Sequence, residues 1–347
     1  MRGKHLVNTG QKETRLEGDL NLFLGSWCLD LSEEELVNHA SVMDYHWDDR
    51  KKLRRDYVDI QNIYAEFIII LAKELNSYHQ VNHTHRYWRI LIGPWLNYFI
   101  SIVFDRFAML SIAFKEKNIV SYSYAQVEMD LFIPNGMQEF SQMMDKDSWN
   151  QVIYQDLINE FISKKYEINK IDTSMNRNFM DSKDILPNSY KSIIKNFLSK
   201  LSVMLSGPKE VYIQSAYLSF IDQIKLQMRL KIFPRFWFQK AIKKYDSTIK
   251  ERNPLFEENI LDEEIIKVLK YMISRHIPKS YLEGYLQLKT EVKKSPLPIE
   301  PASIFTCDSY GYDDAFKLWS AEQVENGSRL IIGQHGGHYG IGLLNAD

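Results

Sequence analysis

The stretch of the sequence with the most evident chemistry is GQHGGHYG, residues 333–340, which directly follows the apolar run RLII. Its four glycines permit positive φ and close backbone approach, so their amides can face an anionic ligand. His335 and His338 can exchange a proton near neutral pH. The stretch therefore predicts a site that holds an anionic group while a proton moves, the alternative being a turn with incidental histidines. It is not a P-loop, because the Lys and the following Ser or Thr are missing.

A second polar stretch, CDSYGYDD at residues 307–314, follows the preceding apolar strand. In an open parallel α/β sheet the turns at the carboxyl ends of neighbouring strands lie together, so this stretch is expected beside the glycine-rich turn. Asp308, Ser309 or Asp313 could orient a histidine as a general base or bind substrate hydroxyls. The alternative is that Asp313 or Asp314 caps the next helix.

Two upstream stretches, DYHWDDR (44–50) and NHTHRYWRILIGPW (82–95), concentrate His, Trp, Asp and Arg at predicted helix starts. Arg86 and Arg89, at the mouth of a buried helix, are candidate contacts for an anion or a sugar. His46 and Asp49 are further candidate substrate contacts. Neither stretch has the His-x-x-x-His spacing of a helical metal site, so we expect no metal and no cofactor.

Residues 229–244, RLKIFPRFWFQKAIKK, interleave basic and aromatic side chains. Such a segment can lie on an anionic membrane surface or stack single-stranded nucleic acid. The formal net charge of -2 argues against nucleic acid as a partner. Ordinary packing of the aromatic rings beside solvated lysines is the simpler alternative.

The composition is that of a globular protein. Of the 347 residues, 45% are hydrophobic and 25% charged, and the two cysteines support neither a disulfide framework nor a cysteine-based zinc site. No apolar stretch reaches the roughly 18 uncharged residues of a membrane span. We therefore expect a cytoplasmic protein, with peripheral contact at the inner face of the membrane as the alternative location.

The pattern of elements indicates an α/β fold with a parallel sheet. Apolar residues at three- and four-residue spacing predict a long helix ending near residue 79, and a second over 86–116 that bends or begins at Pro94. The end of the chain reads as a β-α-β unit, and residues 150–210 are the least readable. Predicted strands lie at 5–10, 20–29, 118–125 and 209–219.

Several stretches together resemble a known family: LNLFLGSWCL, DYHWDDR, VNHTHRYWRILIGPWL, IPKSYLEGY and FKLWSAEQVENGSRLIIGQHGGHYG. The chain resembles bacterial transferases of O-antigen and other surface carbohydrates over nearly its whole length, with residues 150–210 carrying almost none of the likeness. More distantly, the terminal turn is similar to that of Kdo transferases of capsule synthesis and of CDP-glycerol glycerophosphotransferases, which are GT-B enzymes.

The resemblance implies metal-free transfer of a sugar or sugar-like group from a nucleotide-sugar donor to a carbohydrate acceptor, which can be lipid-linked. It places His335 near the transfer centre as a general base or phosphate contact, with Asp308 or Asp313 orienting the acceptor or the histidine. The substrate contacts then expected are Gln334, Gly336, Gly337, His338, Tyr339, Ser309, Arg86, Arg89, His46 and Asp49.

The resemblance also implies a domain organisation. A GT-B enzyme holds its donor mainly in a second Rossmann-like domain. We therefore expect residues 1–347 to form the N-terminal, acceptor-side domain, a GT-B-like Rossmann-type sheet with a helical insertion over roughly 130–290, and the donor domain to be missing. The alternative from another class is a non-catalytic carbohydrate-binding or assembly module.

Overall fold

The computed structural model describes residues 3–18, 20–29, 41–173, 210–232, 245, 252–257, 259 and 261–334. Within these residues the strands form two parallel sheets, one of five strands in the order β3-β2-β1-β4-β5 and one of three in the order β6-β7-β8. The strands are β1 Lys4–Val7, β2 Asn21–Phe23, β3 Ser41–Val42, β4 Ile119–Tyr124, β5 Asn169–Asp172, β6 Val211–Gln214, β7 Ser303–Thr306 and β8 Arg329–Ile332.

The α/β class and the parallel pairing agree with the sequence prediction, whereas the division into two sheets does not follow from the strand pattern. The strand β6 pairs with β7 rather than with β5. The stretch of roughly 130–290, expected as a helical insertion, contains the strands β5 and β6 as well as helices. Periodicity identifies a strand, but its neighbour in a sheet is chosen by tertiary packing.

The first sheet changes direction at β1. The chain adds β2 and β3 on one side of β1, then returns to place β4 and β5 on the other side. His5 of β1 is in register with Asn21 of β2 and with Ser121 of β4. The carboxyl ends of β1 and β4 therefore flank a topological switch point, where open α/β sheets commonly bind ligands.

Nine helices are described: α1 Arg50–His79, α2 His85–Glu116, α3 Met137–Met143, α4 Asp147–Leu157, α5 Phe220–Arg229, α6 Glu264–His276, α7 Tyr285–Lys293, α8 Ser309–Tyr312 and α9 Asp314–Glu325. The chain continues from α4 into one π-helical turn, Ile158–Ile162. The helix α2 lies at the centre and packs against α1, α6 and α9. A single hydrophobic cluster includes Leu6 of the first sheet and Ile304 of the second.

The helix α2 begins at His85 and continues through Pro94. The alternative that the helix starts at the proline is therefore wrong. Its first turn is capped by the Thr84 hydroxyl, which accepts a hydrogen bond from the Tyr87 amide at 3.2 Å. Trp88 and Trp95, on either side of the proline, are fully buried. Burial of such side chains outweighs the roughly 3 kcal/mol that an interior proline costs a helix.

By length and mean hydropathy (1.4), α2 is the one helix in the described residues that could cross a membrane. The sequence predicts no membrane span, because no apolar stretch reaches about 18 uncharged residues. In the structure, the apolar side chains of α2 pack inside the protein against helices on several sides. Its hydrophobicity is thus accounted for by its place in the core.

Candidate functional site

The carboxyl ends of β6, β7 and β8 form one edge of the second sheet. Gln214 is in register with Thr306, and Thr306 with Ile332. Beyond the strands, the Gly333 amide donates to the Thr306 carbonyl at 2.8 Å. The polar stretch that begins at Cys307 therefore lies directly beside the start of the glycine-rich turn, where the sequence placed it.

Ser309 is the centre of a polar network at this edge. Its hydroxyl accepts a hydrogen bond from Gln214 Nε2 at 2.8 Å and lies 2.9 Å from the Ser215 hydroxyl. The Gln214 side chain is held in turn by the Tyr212 hydroxyl, which donates to its Oε1 at 3.0 Å. The Ser309 amide donates to Thr306 Oγ1 at 3.1 Å. Ser309 is buried, so its hydrogen bonds hold the ends of β6 and β7 in place rather than contact solvent.

The backbone is strained at the end of β6. Ser215 has φ 49°, in the left-handed region that residues with a Cβ rarely occupy. Its carbonyl accepts a hydrogen bond from the Cys307 amide at 3.1 Å, which holds the unusual conformation in place. Such strain costs on the order of 1–3 kcal/mol and occurs most often where a site needs a particular geometry.

Asp308 is half-buried, and its carboxylate has no hydrogen-bond partner among the described residues. It is thus an acidic group at this edge that the described residues do not engage. Burial, with the nearby Asp308 charge, raises the pKa of the Cys307 thiol. The thiol therefore stays protonated at neutral pH and is a poor nucleophile.

Asp313 and Asp314 are engaged in structural contacts. Asp313 caps α9, its carboxylate accepting from the Phe316 amide at 3.0 Å, as the capping alternative anticipated. Asp314 Oδ2 accepts from the Met137 amide at 2.9 Å, on a different part of the chain. These bonds fix the start of α9 immediately after the edge.

Arg86 and Arg89 lie far from this edge. Both are exposed at the start of α2, where Arg89 hydrogen-bonds the Tyr64 hydroxyl. The start of α2 adjoins the carboxyl end of α9, since His83 Nδ1 lies 2.6 Å from Glu325 Oε2. The twelve residues of α9 separate that point from the edge by about 18 Å. The structure therefore does not bring these arginines to the edge formed by β6, β7 and β8.

His46 and Asp49 lie beside the first sheet instead. Asp49 is an exposed helix cap whose carboxylate accepts from the amides of Lys51 and Lys52, which lowers its pKa. His46 is buried, with Nε2 3.0 Å from Asp105 Oδ1 and Nδ1 3.8 Å from Asp56 Oδ2. Neither residue adjoins the second sheet's edge.

The partner of His46, Asp105, belongs to a buried charged cluster that the sequence analysis missed. Burial alone would raise the pKa of Asp105, but hydrogen bonds from His46 and Tyr45 and the charge of Arg106 lower it on balance. Arg106 also donates to Asn150 Oδ1, at 3.0 Å from Nη2. The only signal in the sequence was a charged pair inside an otherwise apolar helix, which required a polar environment.

Several predicted residues fall outside the described ranges: His335, Gly336, Gly337, His338 and Tyr339. Most of the basic and aromatic segment, 233–244, does so as well. Gln334 is described and stands at the carboxyl end of β8, next to Gly333. Within the described part of the chain, no group of three or more His, Cys, Asp or Glu side chains is placed to hold a metal ion.

Comparison with protein families identifies the family of the chain, which the geometry alone does not. The family model described as LIC12162 family transferase matches residues 4–347. The chain belongs to the LIC12162 transferase family. This LIC12162 transferase matches no curated protein and no solved structure. Family membership supports the prediction that the protein is a transferase. The family description does not mention O-antigen, Kdo or GT-B enzymes.

Proposed function

We propose that this LIC12162 family transferase moves a sugar or sugar-like group from a nucleotide-linked donor to a carbohydrate acceptor of a bacterial surface polysaccharide. The observation that carries the proposal is the edge of the second sheet, where the Gly333 amide at the start of the glycine-rich turn donates to the Thr306 carbonyl. Asp308 follows two residues later, and its carboxylate has no hydrogen-bond partner among the described residues. Backbone amides at such a turn suit the phosphates of a donor, and a carboxylate suits sugar hydroxyls.

In the proposed reaction the acceptor hydroxyl oxygen attacks the anomeric carbon of the donor sugar. The bond from that carbon to the phosphate oxygen breaks, and the nucleotide leaves with the electron pair. The hydroxyl proton passes to a base, for which His335 is the proposed residue, and the glycine amides stabilise the phosphate charge. Asp308 orients the hydroxyls, and the Ser309 network keeps the edge rigid.

The placement of the two sheets supports separate sites for the two substrates. The helix α8, which directly follows the carboxyl end of β7, packs against α2. The helix α2 also supplies Asp105 and Arg106 to the cluster that holds His46, just beyond β3. Both carboxyl edges thus adjoin α2. We propose that the donor phosphates bind at the second sheet's edge and the acceptor at the first; this proposal differs from the expectation that a missing second domain holds the donor.

The test is a transfer assay with CMP-, CDP-, UDP- and GDP-linked sugars and oligosaccharide acceptors. We expect Asp308→Asn and His335→Ala each to lower turnover by about 10²-fold or more, as removal of a positioned polar group typically does. The matched control is Asp59→Asn, an exposed carboxylate on α1. Unchanged turnover in both site variants would reject this site, and binding of an oligosaccharide with no turnover of any donor would favour the non-catalytic alternative.

A further inference from the structure

Trp27 is an exposed tryptophan at the carboxyl edge of the first sheet, just beyond β2. Its side chain is 39% exposed, whereas Trp88, Trp95, Trp149 and Trp319 are buried. The indole N–H donates to the Asn8 carbonyl at 3.3 Å, and the ring meets Tyr45 edge to face at 5.6 Å between centroids. The ring is therefore held in one orientation while part of its surface remains open to solvent.

Gly25, which has no side chain, leaves the space that the Trp27 ring occupies. A Cβ at Gly25 would lie 2.1 Å from a carbon of the Trp27 ring, so any larger residue at position 25 would displace it. Exposing a tryptophan forgoes burial that its large apolar surface would otherwise obtain. A fixed, exposed indole of this kind is a flat surface on which another ring can stack.

The Asp147 carboxylate lies near the backbone of the Trp27 segment. Asp147 is exposed at the start of α4, and it accepts no hydrogen bond from the residues that the structure describes. A Cβ at Gly10 would lie 2.8 Å from Asp147 Oδ2 and 3.6 Å from the Trp27 carbonyl oxygen. Gly10, just beyond β1, thus has no side chain where the Asp147 carboxylate packs against its backbone near the Trp27 carbonyl.

Side chains of α4 fill the gap between the carboxyl ends of β1 and β4, at the topological switch point. Gln151 accepts from the Thr9 hydroxyl at 3.1 Å and donates to the Ser123 carbonyl at 3.1 Å. Gln155 bonds both the amide and the carbonyl of Ala125. A ligand at this edge would consequently rest on the rim, against Trp27, Gly10 and Asp147, rather than enter the sheet.

We propose that Trp27, Gly10 and Asp147 form a subsite for one neutral pyranose ring of the acceptor. The C–H face of a pyranose stacks on an indole, its hydroxyls donate to a carboxylate, and Gly10 lets the Asp147 carboxylate lie against the backbone at this edge. The negative Asp147 disfavours a nucleotide, which also stacks but brings phosphate. The identification of the ring as the acceptor rests on the proposed function, while the binding chemistry does not.

The experiment reads binding without transfer. The chain is labelled with 5-fluorotryptophan, and the Trp27 signal is assigned by its loss in Trp27→Phe. Methyl glycosides of glucose, galactose and mannose are then titrated to millimolar concentration, with sorbitol as the control that has hydroxyls but no ring face. We expect a saturable shift of the Trp27 signal by at least one glycoside, a fixed signal for the buried tryptophans, and no saturable shift with sorbitol.

Two variants test the carboxylate. Asp147→Asn should weaken the glycoside about tenfold, because a charge-assisted hydrogen bond is lost. Asp145→Asn is the matched control in the turn just before α4, an exposed residue paired with Lys146, and it should change affinity less than about twofold. Circular dichroism and thermal unfolding of each variant establish that the fold is retained.

The outcomes separate the subsite from the function. A shift of the Trp27 signal in a chain that turns over no donor supports the subsite and counts against the proposed function. Turnover without any saturable shift at Trp27 overturns the subsite and leaves the function standing. An equal response to sorbitol, or equal weakening by Asp147→Asn and Asp145→Asn, also overturns the proposal.

Discussion

The Tyr281 hydroxyl donates a hydrogen bond to Asp314 Oδ1 at 2.7 Å, across a separation of 33 positions in the chain. Lys317 joins the pair, with Nζ 2.9 Å from Asp314 Oδ1 and 2.8 Å from the Tyr281 hydroxyl oxygen, and its side chain is fully buried. This contact fixes the first turn of α9 against the segment before α7. The position of the second sheet's edge therefore depends on a buried ion pair.

Asp314→Ala should destabilise the protein strongly. Removing the carboxylate leaves the Lys317 ammonium buried without its counter-ion, which typically costs about 3–5 kcal/mol. Tyr281→Phe, which keeps the ring and the ion pair and removes one hydroxyl, is the control and should cost only about 1–2 kcal/mol. Urea unfolding of the two variants measures both values, and equal destabilisation would show that the ion pair contributes little.

The strained conformation of Ser215 allows a comparison of two substitutions. Ser215→Ala and Ser215→Gly both remove the hydroxyl that lies 2.9 Å from Ser309 Oγ, but only glycine adopts φ 49° without a Cβ penalty. We expect the glycine variant to be more stable than the alanine variant by about 1 kcal/mol. Chemical unfolding of both checks this, and an alanine variant of equal or greater stability would mean that φ 49° is not strained here.

Stability should fall as the pH drops below about 6.5, the ordinary pKa of histidine. Burial lowers the pKa of His5, His79 and His276 in the folded chain, so the unfolded chain binds more protons than the folded one in this range. The free energy of unfolding therefore rises with pH between the lowered folded-state pKa and 6.5, by at most about 1.4 kcal/mol per pH unit for each histidine.

His5 is the clearest histidine with which to test this dependence, because its hydrogen-bond partners are the neutral groups Ser121 Oγ, Ser123 Oγ and the Thr14 carbonyl. Urea unfolding at several pH values between 5 and 8 should give a shallower slope for His5→Gln than for the natural sequence. An unchanged slope in a variant that still folds would assign the dependence to other groups.

Close packing of α1 against α2 makes Gly93 sensitive to substitution. A Cβ at this position would lie 2.8 Å from the Tyr64 hydroxyl oxygen, so Gly93→Ala should destabilise the protein by about 1–3 kcal/mol although alanine favours helices. Adding Tyr64→Phe removes the obstructing oxygen and should recover most of the loss. A double-mutant cycle measures the coupling, and purely additive effects would contradict the contact.

Local patterns in the sequence determined the type of most elements. The three- and four-residue spacing of apolar side chains predicts α1 and most of α2, and the terminal β-α-β unit follows from its strands and the turn at Gly327. The juxtaposition of the turns after β7 and β8 was also predictable, because parallel strands joined by one helix bring their carboxyl ends to the same edge. These features depend on interactions between residues close in the chain.

The tertiary structure alone decided the pairings between distant residues. His46 lies 59 positions from Asp105, and nothing in either local sequence indicates the other. The separation of β6, β7 and β8 from the first sheet likewise depends on which buried faces pack around α2. The distance of Arg86 from the second sheet's edge also depends on tertiary structure, since the length of α9 sets it. Such contacts are selected by burial and loop closure across the whole chain, and no short pattern encodes them.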